Sequence, residues 1–192
     1  LSFFAIAQTE ILKMPTEDEK TALKKVLASY LITVNSLSAI DKVDTLEIRK
    51  KLTIQFMKSS LAKGYVMVIN DLVDKKVEDT ISILAYLANL NFHPSLSLTQ
   101  TIPDSTLIFK PVQYDSWRKF YYTSVEVVKR NEYVNIRKSY IKNNDTGDST
   151  LVADTLKFSK EFPLTYFIRF DREGLVSKEF KLFCILKKGS AR

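Results

Sequence analysis

Hydrophobic and polar residues alternate near the carboxyl terminus in a pattern that predicts a β-hairpin. The apolar residues of its first strand are separated by two positions: Leu164, Tyr166, Ile168 and Phe170. After the turn Asp171-Arg172-Glu173-Gly174 the same period continues through Val176, Phe180, Leu182, Cys184 and Leu186. Glycine at the turn tolerates the positive φ that a tight hairpin requires. Residues 162–186 are therefore predicted to form two antiparallel strands with one strongly apolar face.

The first half of the chain has the three-and-four spacing of amphipathic helices instead. Thr16 and Glu19 have the spacing of a capping box, and apolar residues then recur at helical intervals as far as Leu37. A second capping pattern predicts another helix over residues 44–63, which Gly64 can end. Residues 71–90 are again helical in pattern, with Leu84 on the inward side, and Pro94 closes this helical half.

The second helix has two apolar stripes on opposite sides. One consists of Ile48, Leu52 and Phe56, and the other of Ile54, Met57 and Leu61. This arrangement predicts a helix that is covered on both sides. The following run at residues 65–69 fits a buried strand or a continued helix, because five residues are too few for periodicity to decide.

Short segments rich in β-branched and aromatic residues replace the helical pattern after residues 91–104. The predicted strands lie at residues 107–109, 120–128, 133–141 and 150–158, and the carboxyl-terminal hairpin completes the sheet. Arg130-Asn131-Glu132 is predicted to be the turn between the second and third of them. Helices followed by strands indicate an α+β fold, with N-terminal helices packed on a curved antiparallel sheet of about five strands.

One domain is therefore expected over residues 16–192, with a helical half at 16–94 and a sheet half at 95–192. Phe167, Phe183 and Ile185 give the last two strands a second apolar face. A sheet that is apolar on both sides needs a cover on both sides, which the helices or a partner subunit can provide.

Residues 1–15 precede this domain and have two interpretations. Residues 1–7 are apolar and end in an Ala-x-Ala pattern, which is typical of the tail of a secretory signal peptide. That interpretation predicts export to the periplasm or the extracellular space. The alternative is an apolar N-terminal arm that stays in the protein. Elsewhere in the sequence, no uncharged apolar run has the length of a transmembrane helix.

Charge and composition narrow the possible chemistry. The formal charge is +7, but the basic residues occur as scattered pairs, which argues against a nucleic-acid interface. The single cysteine, Cys184, excludes an internal disulfide and is predicted to be a core residue. One histidine, His93, is too few for a zinc site, and no nucleophile-elbow glycines accompany the nearby serines. The loop with Asp145 and Asp148 lacks the ligand pattern for calcium. No metal or cofactor is predicted.

Asp154 is the one candidate acid/base residue. It shares a predicted strand face with Val152, Leu156 and Phe158, which places a carboxylate on the core side. A desolvated carboxylate has a raised pKa and can act as a general acid or base. The alternative is a position at a bulge or the sheet rim, where the carboxylate meets water or an arginine.

The segment Tyr166-Phe167-Ile168-Arg169-Phe170-Asp171-Arg172-Glu173-Gly174-Leu175-Val176 resembles the penultimate hairpin of nuclear transport factor 2-like (SnoaL-like) domains. In that family an aromatic strand ends in an acidic turn with glycine, and the order of helices before sheet is also similar. The resemblance implies a cone-like sheet around an apolar pocket. It further implies that Asp154 there would have Trp117, Tyr140 and Tyr166 as neighbours. The family includes enzymes and binding modules, so the fold alone does not decide the function.

The leading hypothesis is a non-enzymatic binding domain, exported or associated with the cell envelope. It would engage a partner protein, or another copy of itself, through the second apolar sheet face, or bind a small apolar ligand. One alternative is an isomerase, cyclase or dehydratase that uses Asp154 in a cone pocket. The other is a structural subunit of a larger assembly, with residues 1–15 as an ordered arm.

Overall fold

The computed structural model describes residues 9–38, 46–72, 80–92, 96–142 and 149–189. Three α-helices lie within them: α1 Glu17–Ser38, α2 Leu46–Ser60 and α3 Ile83–Phe92. The strands are β1 Thr9–Ile11, β2 Met67–Ile69, β3 Thr80–Ser82, β4 Leu96–Thr101, β5 Ile108–Phe109, β6 Gln113–Asp115, β7 Phe120–Lys142, β8 Ser149–Glu173 and β9 Val176–Lys187. None of the helices in these ranges is both long and apolar enough to cross a membrane.

The strands form one mixed sheet on which the helices pack, so the α+β prediction is confirmed. Its order is β1-β6-β7-β8-β9-β2-β3, and β4 and β5 also pair with β7. The prediction of about five strands, all antiparallel, is wrong in detail. The described ranges contain nine strands, and β2 runs parallel to β9. Strands of two or three residues are too short to show a period in the sequence.

Strands β7 and β8 are each continuous where the sequence suggested interruptions. They pair without a register shift from Tyr121↔Phe170 to Lys142↔Ser149. The predicted turn at Arg130-Asn131-Glu132 is therefore wrong. Its polar residues occupy ordinary strand positions, and Asn131 points into the core with no exposed surface. A buried polar residue in a strand is easily mistaken for a turn residue.

The hairpin of β8 and β9 is confirmed, with Gly174 at a φ of +58° in the turn. Its alternation is interrupted by a bulge, because Phe167 pairs with Cys184 whereas Ile168 pairs with Leu182. Beyond the bulge the faces of β9 exchange, so Ile185 joins the core instead of the predicted second face. Cys184 is buried, as expected.

Helix α1 covers the core face of the sheet along most of its length. The ring of Tyr30 meets the ring of Tyr166 edge-on, with centroids 5.7 Å apart. Helix α2 packs on the core through Phe56, and Leu61 just after the helix is buried too, whereas Ile48 of the first stripe and Ile54 and Met57 of the second are exposed. The prediction of cover on both sides is thus wrong for α2. Leu84 of α3 was predicted to point inward and is also exposed.

Part of the N-terminal segment belongs to the sheet. Strand β1 pairs with β6, and the backbone N–H of Leu12 donates to the carbonyl of Val112 over 2.7 Å. The described part of residues 1–15 is therefore an ordered edge of the fold. Residues 1–8, which contain the predicted signal-peptide tail, lie outside the described residues.

The capping box at the start of α1 is confirmed and has a second role. The backbone N–H of Thr16 donates to Glu19 Oε2 over 2.9 Å, and the N–H of Glu19 donates to Thr16 Oγ1 over 3.3 Å. Glu19 also accepts hydrogen bonds from Arg172 at 2.6 Å and from Ser177 at 2.5 Å. Burial alone would raise the pKa of Glu19, but the hydrogen bonds from Ser177 and Arg172 outweigh it and lower the pKa. One carboxylate thus joins α1 to the β8–β9 hairpin.

Replacement of Glu19 by alanine should lower the free energy of unfolding by about 2–3 kcal/mol, because charge-assisted hydrogen bonds and a helix cap are lost together. Urea unfolding followed by circular dichroism measures this change. Glu17→Ala is the matched control, because Glu17 is an exposed acid of the same turn and pairs with Lys20 of its own helix.

The effect of Glu19→Ala should depend on pH. A lowered folded-state pKa contributes stability above the unfolded value of about 4.3 and loses it as the pH falls through the folded value. The difference in the free energy of unfolding between the wild type and Glu19→Ala should therefore be largest at pH 7 and shrink below about pH 4. A difference that stays constant down to pH 2 would contradict this role for the carboxylate.

Candidate functional site

The structure does not bring the four site residues predicted from the sequence together. Trp117 lies 75% exposed in the turn before β7, and Tyr140 lies 75% exposed near the end of β7. Asp154 is exposed on β8, whereas Tyr166 is fully buried under α1. The prediction that Asp154 faces the core is therefore wrong, because Asp154 and its neighbours on the same face, Leu156 and Phe158, are all exposed.

The other chemical candidates, His93 and the pair Asp145 and Asp148, lie outside the described residues. Within the described ranges, no group of histidine, cysteine, aspartate or glutamate side chains is placed to hold a metal ion.

A buried polar cluster, which we call the Lys129 cluster, occupies the centre of the core instead. On β7 the inward residues Val125 and Val127 are followed by Lys129, Asn131 and Tyr133. The Lys129 Nζ lies 2.5 Å from Asp71 Oδ2, and their side chains are only 2% and 0% exposed. Such an ion pair is stable only if the remaining hydrogen-bonding positions of both groups are also occupied.

Residues from several elements complete the Lys129 cluster. Asp71, which follows β2, accepts hydrogen bonds from the Tyr86 hydroxyl at 2.7 Å and from Asn131 Nδ2 at 2.8 Å. Gln100 of β4 donates from its side-chain amide to the Tyr86 hydroxyl over 2.7 Å. The ammonium of Lys129 lies 5.7 Å from the ring centroid of Tyr30 on α1. The cluster therefore connects helices α1 and α3 to strands β4 and β7 and to the segment after β2 through side chains.

Electrostatics keeps Lys129 protonated. Burial alone would lower the pKa of Lys129, but the Asp71 carboxylate and the Tyr30 hydroxyl together outweigh it, and the pKa is raised. Burial and the same carboxylate hold the pKa of the Tyr86 hydroxyl well above its usual value. A protonated lysine that is sealed from solvent cannot act as a nucleophile or a base. We interpret the Lys129 cluster as structural.

A cleft lies at the surface between the end of α2, the start of α3 and the β8–β9 hairpin. Its volume is about 540 Å³. The apolar side chains of its lining are Met57, Leu61, Ala62, Val66, Ile83, Leu84 and Phe170, and the buried ones among them form its floor. Four basic residues, Lys58, Lys63, Arg169 and Lys181, and two acidic residues, Asp171 and Glu179, also line it. It thus combines an apolar floor with a rim of charged groups.

Local backbone features shape this cleft. Glu179 has a φ of +56°, which is unusual for a residue other than glycine, and lies at a register shift between β8 and β9. A strained backbone position of this kind persists only where the surrounding structure holds it in place. Such positions, and register shifts of this kind, are frequent at functional sites. The Lys181 Nζ donates to the carbonyls of Lys58 and Ser59 at 3.0 and 2.5 Å. It therefore satisfies the carboxyl end of α2 and fixes that wall of the cleft.

A second cavity of about 290 Å³ adjoins the cleft. The two share Ala62, Lys63 and Arg169 in their linings. On the far side, the second cavity adds Arg118 and the ring of Phe120, over which the Arg169 guanidinium lies at 5.6 Å. Lys63 and Arg169 therefore stand at the junction of the two cavities.

The far ends of β7 and β8 form the third feature, which we call the β7–β8 arm and define as residues 136–142 and 149–159. On its other side β7 pairs with β4 only as far as Asn135, and β8 pairs with β9 only from Leu164. In the part of the chain that the structure describes, the two strands of the arm pair only with each other. Five large apolar or aromatic side chains on it are exposed: Tyr140, Leu151, Val152, Leu156 and Phe158.

Sequence reasoning missed these three features for identifiable reasons. The alternation of Val125, Val127, Lys129, Asn131 and Tyr133 does place Lys129 inward, but only if β7 is treated as continuous. For the cleft, the second apolar stripe of α2 was identified, but Met57 of that stripe lines the open cleft instead of packing against a cover. For the arm, the apolar alternation of Val152, Leu156 and Phe158 was identified, but its exposure was not.

Lys129→Met should destabilise the protein by about 3–5 kcal/mol, because the Asp71 carboxylate then stays buried without a counter-ion. The double variant Lys129→Met with Asp71→Asn should recover at least half of that loss, because it removes both charges. Urea unfolding followed by circular dichroism measures both. Equal losses in the single and double variants would contradict the ion-pair interpretation.

The Lys129 cluster should also determine alkaline stability. The folded-state pKa values of Lys129 and Tyr86 are raised. Their contribution to the stability of the fold is therefore complete below the unfolded-state pKa values of about 10 and is lost as the pH rises above those values. Unfolding free energies measured from pH 8 to 11 should thus fall more steeply for the wild type than for the double variant. Parallel profiles would show that the cluster does not control this range.

Three comparisons with known proteins give no further guide to the function. No family model, no curated protein and no solved structure matches this chain. The resemblance of residues 166–176 to nuclear transport factor 2-like domains remains a prediction.

Proposed function

We propose that this protein is a non-enzymatic interaction domain, and that its partner is a second copy of itself, bound through the β7–β8 arm. The observation that carries the proposal is the exposure of apolar side chains on a two-stranded arm. Leu151, Leu156 and Phe158 are 50%, 41% and 47% exposed. An isolated two-stranded ribbon is at best marginally stable in water, so cover by a further surface would stabilise the arm.

The open edge of β8 supplies a means of association. Residues 149–159 have β7 on one side and no strand on the other among the described residues. An unpaired edge of this length is a template for another strand, because its outward N–H and C=O groups lack partners within the sheet. Two copies of β8 that pair antiparallel would be related by a two-fold axis, which closes the assembly as a dimer.

The second sheet face, which the sequence suggested as the interface, supports association less well. Its aromatic residues Phe120, Tyr122 and Phe183 meet edge to face, with centroids 5.8–6.2 Å apart. These rings are half-buried, whereas the apolar side chains of the arm are exposed. The arm thus offers the larger gain in apolar burial on association.

Size-exclusion chromatography with light scattering should give a mass of twice 22.1 kDa for the wild type at high concentration. The variant with Val152→Asp and Leu156→Asp should elute as a monomer, because like charges would face each other across the two-fold axis. Hydrogen exchange should show slower exchange of the amides of residues 149–159 in the dimer than after dilution.

Leu175→Asp is the matched control for this experiment. Leu175 is fully exposed at the tip of the β8–β9 turn, so the same substitution there should leave the dimer intact. A wild type that stays monomeric at the highest concentration reached would overturn the proposal. A dimer that persists in the double aspartate variant would equally exclude the arm as its interface.

A further inference from the structure

We propose that the cleft beside α2 binds an aliphatic carboxylate, with the hydrocarbon chain on the apolar floor and the carboxylate between Lys63 and Arg169. This site is separate from the β7–β8 arm. The arm consists of residues 136–142 and 149–159, and none of these residues lines the cleft or the adjoining cavity. The inference therefore does not depend on the proposed dimer.

The size and the floor of the cleft suit a hydrocarbon chain. Small-molecule sites commonly have volumes of about 300–1,000 Å³ and apolar linings with a few polar groups. The cleft has about 540 Å³, and Leu61, Val66, Ile83 and Phe170 on its floor are buried side chains of the core. Leu84, 52% exposed at the mouth, is an apolar group that a bound chain would cover.

Two cations at the junction of the cavities are available for an anionic head. Within the described ranges neither Lys63 nor Arg169 forms an ion pair with an acidic side chain. The Arg169 guanidinium lies over the Phe120 ring, and this stacking leaves the N–H groups at its edge free to bind a carboxylate in a bidentate manner. Lys181, by contrast, is occupied by the carbonyls at the end of α2.

The balance of charge selects an anion over a cation. The cleft has four basic and two acidic residues in its lining. The adjoining cavity has three basic residues, Lys63, Arg118 and Arg169, and no acidic one. The junction is therefore the most basic part of this surface, and a ligand with a positive head would be repelled from it.

Isothermal titration calorimetry with decanoate, 1-decanol and decylamine tests the site. Decanoate should bind the wild-type protein, and affinity should rise from acetate through hexanoate to decanoate by about threefold to fourfold for each methylene that is buried. The variant with Lys63→Gln and Arg169→Gln should bind decanoate at least tenfold more weakly, and its affinity for 1-decanol should not change. Arg169→Lys should have an intermediate affinity, because it keeps the charge but loses the planar fork.

Lys50→Gln is the matched control, since it removes a basic side chain of α2 that does not line the cleft. Circular dichroism verifies that each variant is folded. Three results would each overturn the inference: no binding of decanoate, equal binding of decylamine and decanoate, or unchanged decanoate affinity in the double glutamine variant. Acetate binding as tight as decanoate would exclude the apolar floor as part of the site.

Discussion

The ion pair of Lys129 and Asp71 is the constraint on which the rest of the fold depends. A buried ammonium and a buried carboxylate lose several kcal/mol each of hydration, and only close contact with full hydrogen bonding offsets this. The contact requires β7 to present Lys129 inward, the end of β2 to place Asp71, and α3 and β4 to supply Tyr86 and Gln100. Any arrangement that moves one of these elements leaves a charge uncompensated. The pair thus selects one packing among those that the apolar residues alone would permit.

Periodicity in the sequence predicted the elements that repeat over many residues. The helix from Thr16, its capping box and the hairpin at residues 162–186 are all confirmed. Elements of two or three residues, and the parallel contact of β2 with β9, are set by tertiary pairing and leave no periodic signal. The division of β7 failed because Lys129 and Asn131 are polar residues at core positions, and their partners are distant in the sequence.

The surface features were less predictable than the core, and the reason is again the distance between residues in the sequence. The cleft is assembled from Leu61 to Val66, Ile83, Arg169 and Glu179, which belong to four separate segments. No local spacing connects them. The arm exists because β7 and β8 continue past the parts that pair with β4 and β9. In a sequence, the alternation of apolar residues is the same whether the apolar face of a strand is covered or exposed. The composition gave the net charge of the chain, but only the fold shows that Lys63 and Arg169 lie together at the junction of the two cavities.

The uninterrupted ladder of β7 and β8 has a consequence for the order of folding. Lys142 and Ser149 are seven positions apart in the chain, whereas Tyr121 and Phe170 at the other end are 49 apart. The loss of chain entropy on pairing is smallest for the shortest loop, so zippering is favoured from the tip of the arm toward the body. The arm, however, leaves Leu151, Leu156 and Phe158 exposed, so this part of the ladder cannot hold the ribbon alone. The folding nucleus, which is the first paired part of β7 and β8, therefore becomes stable only when the pairing reaches Lys129 and the helices pack over it.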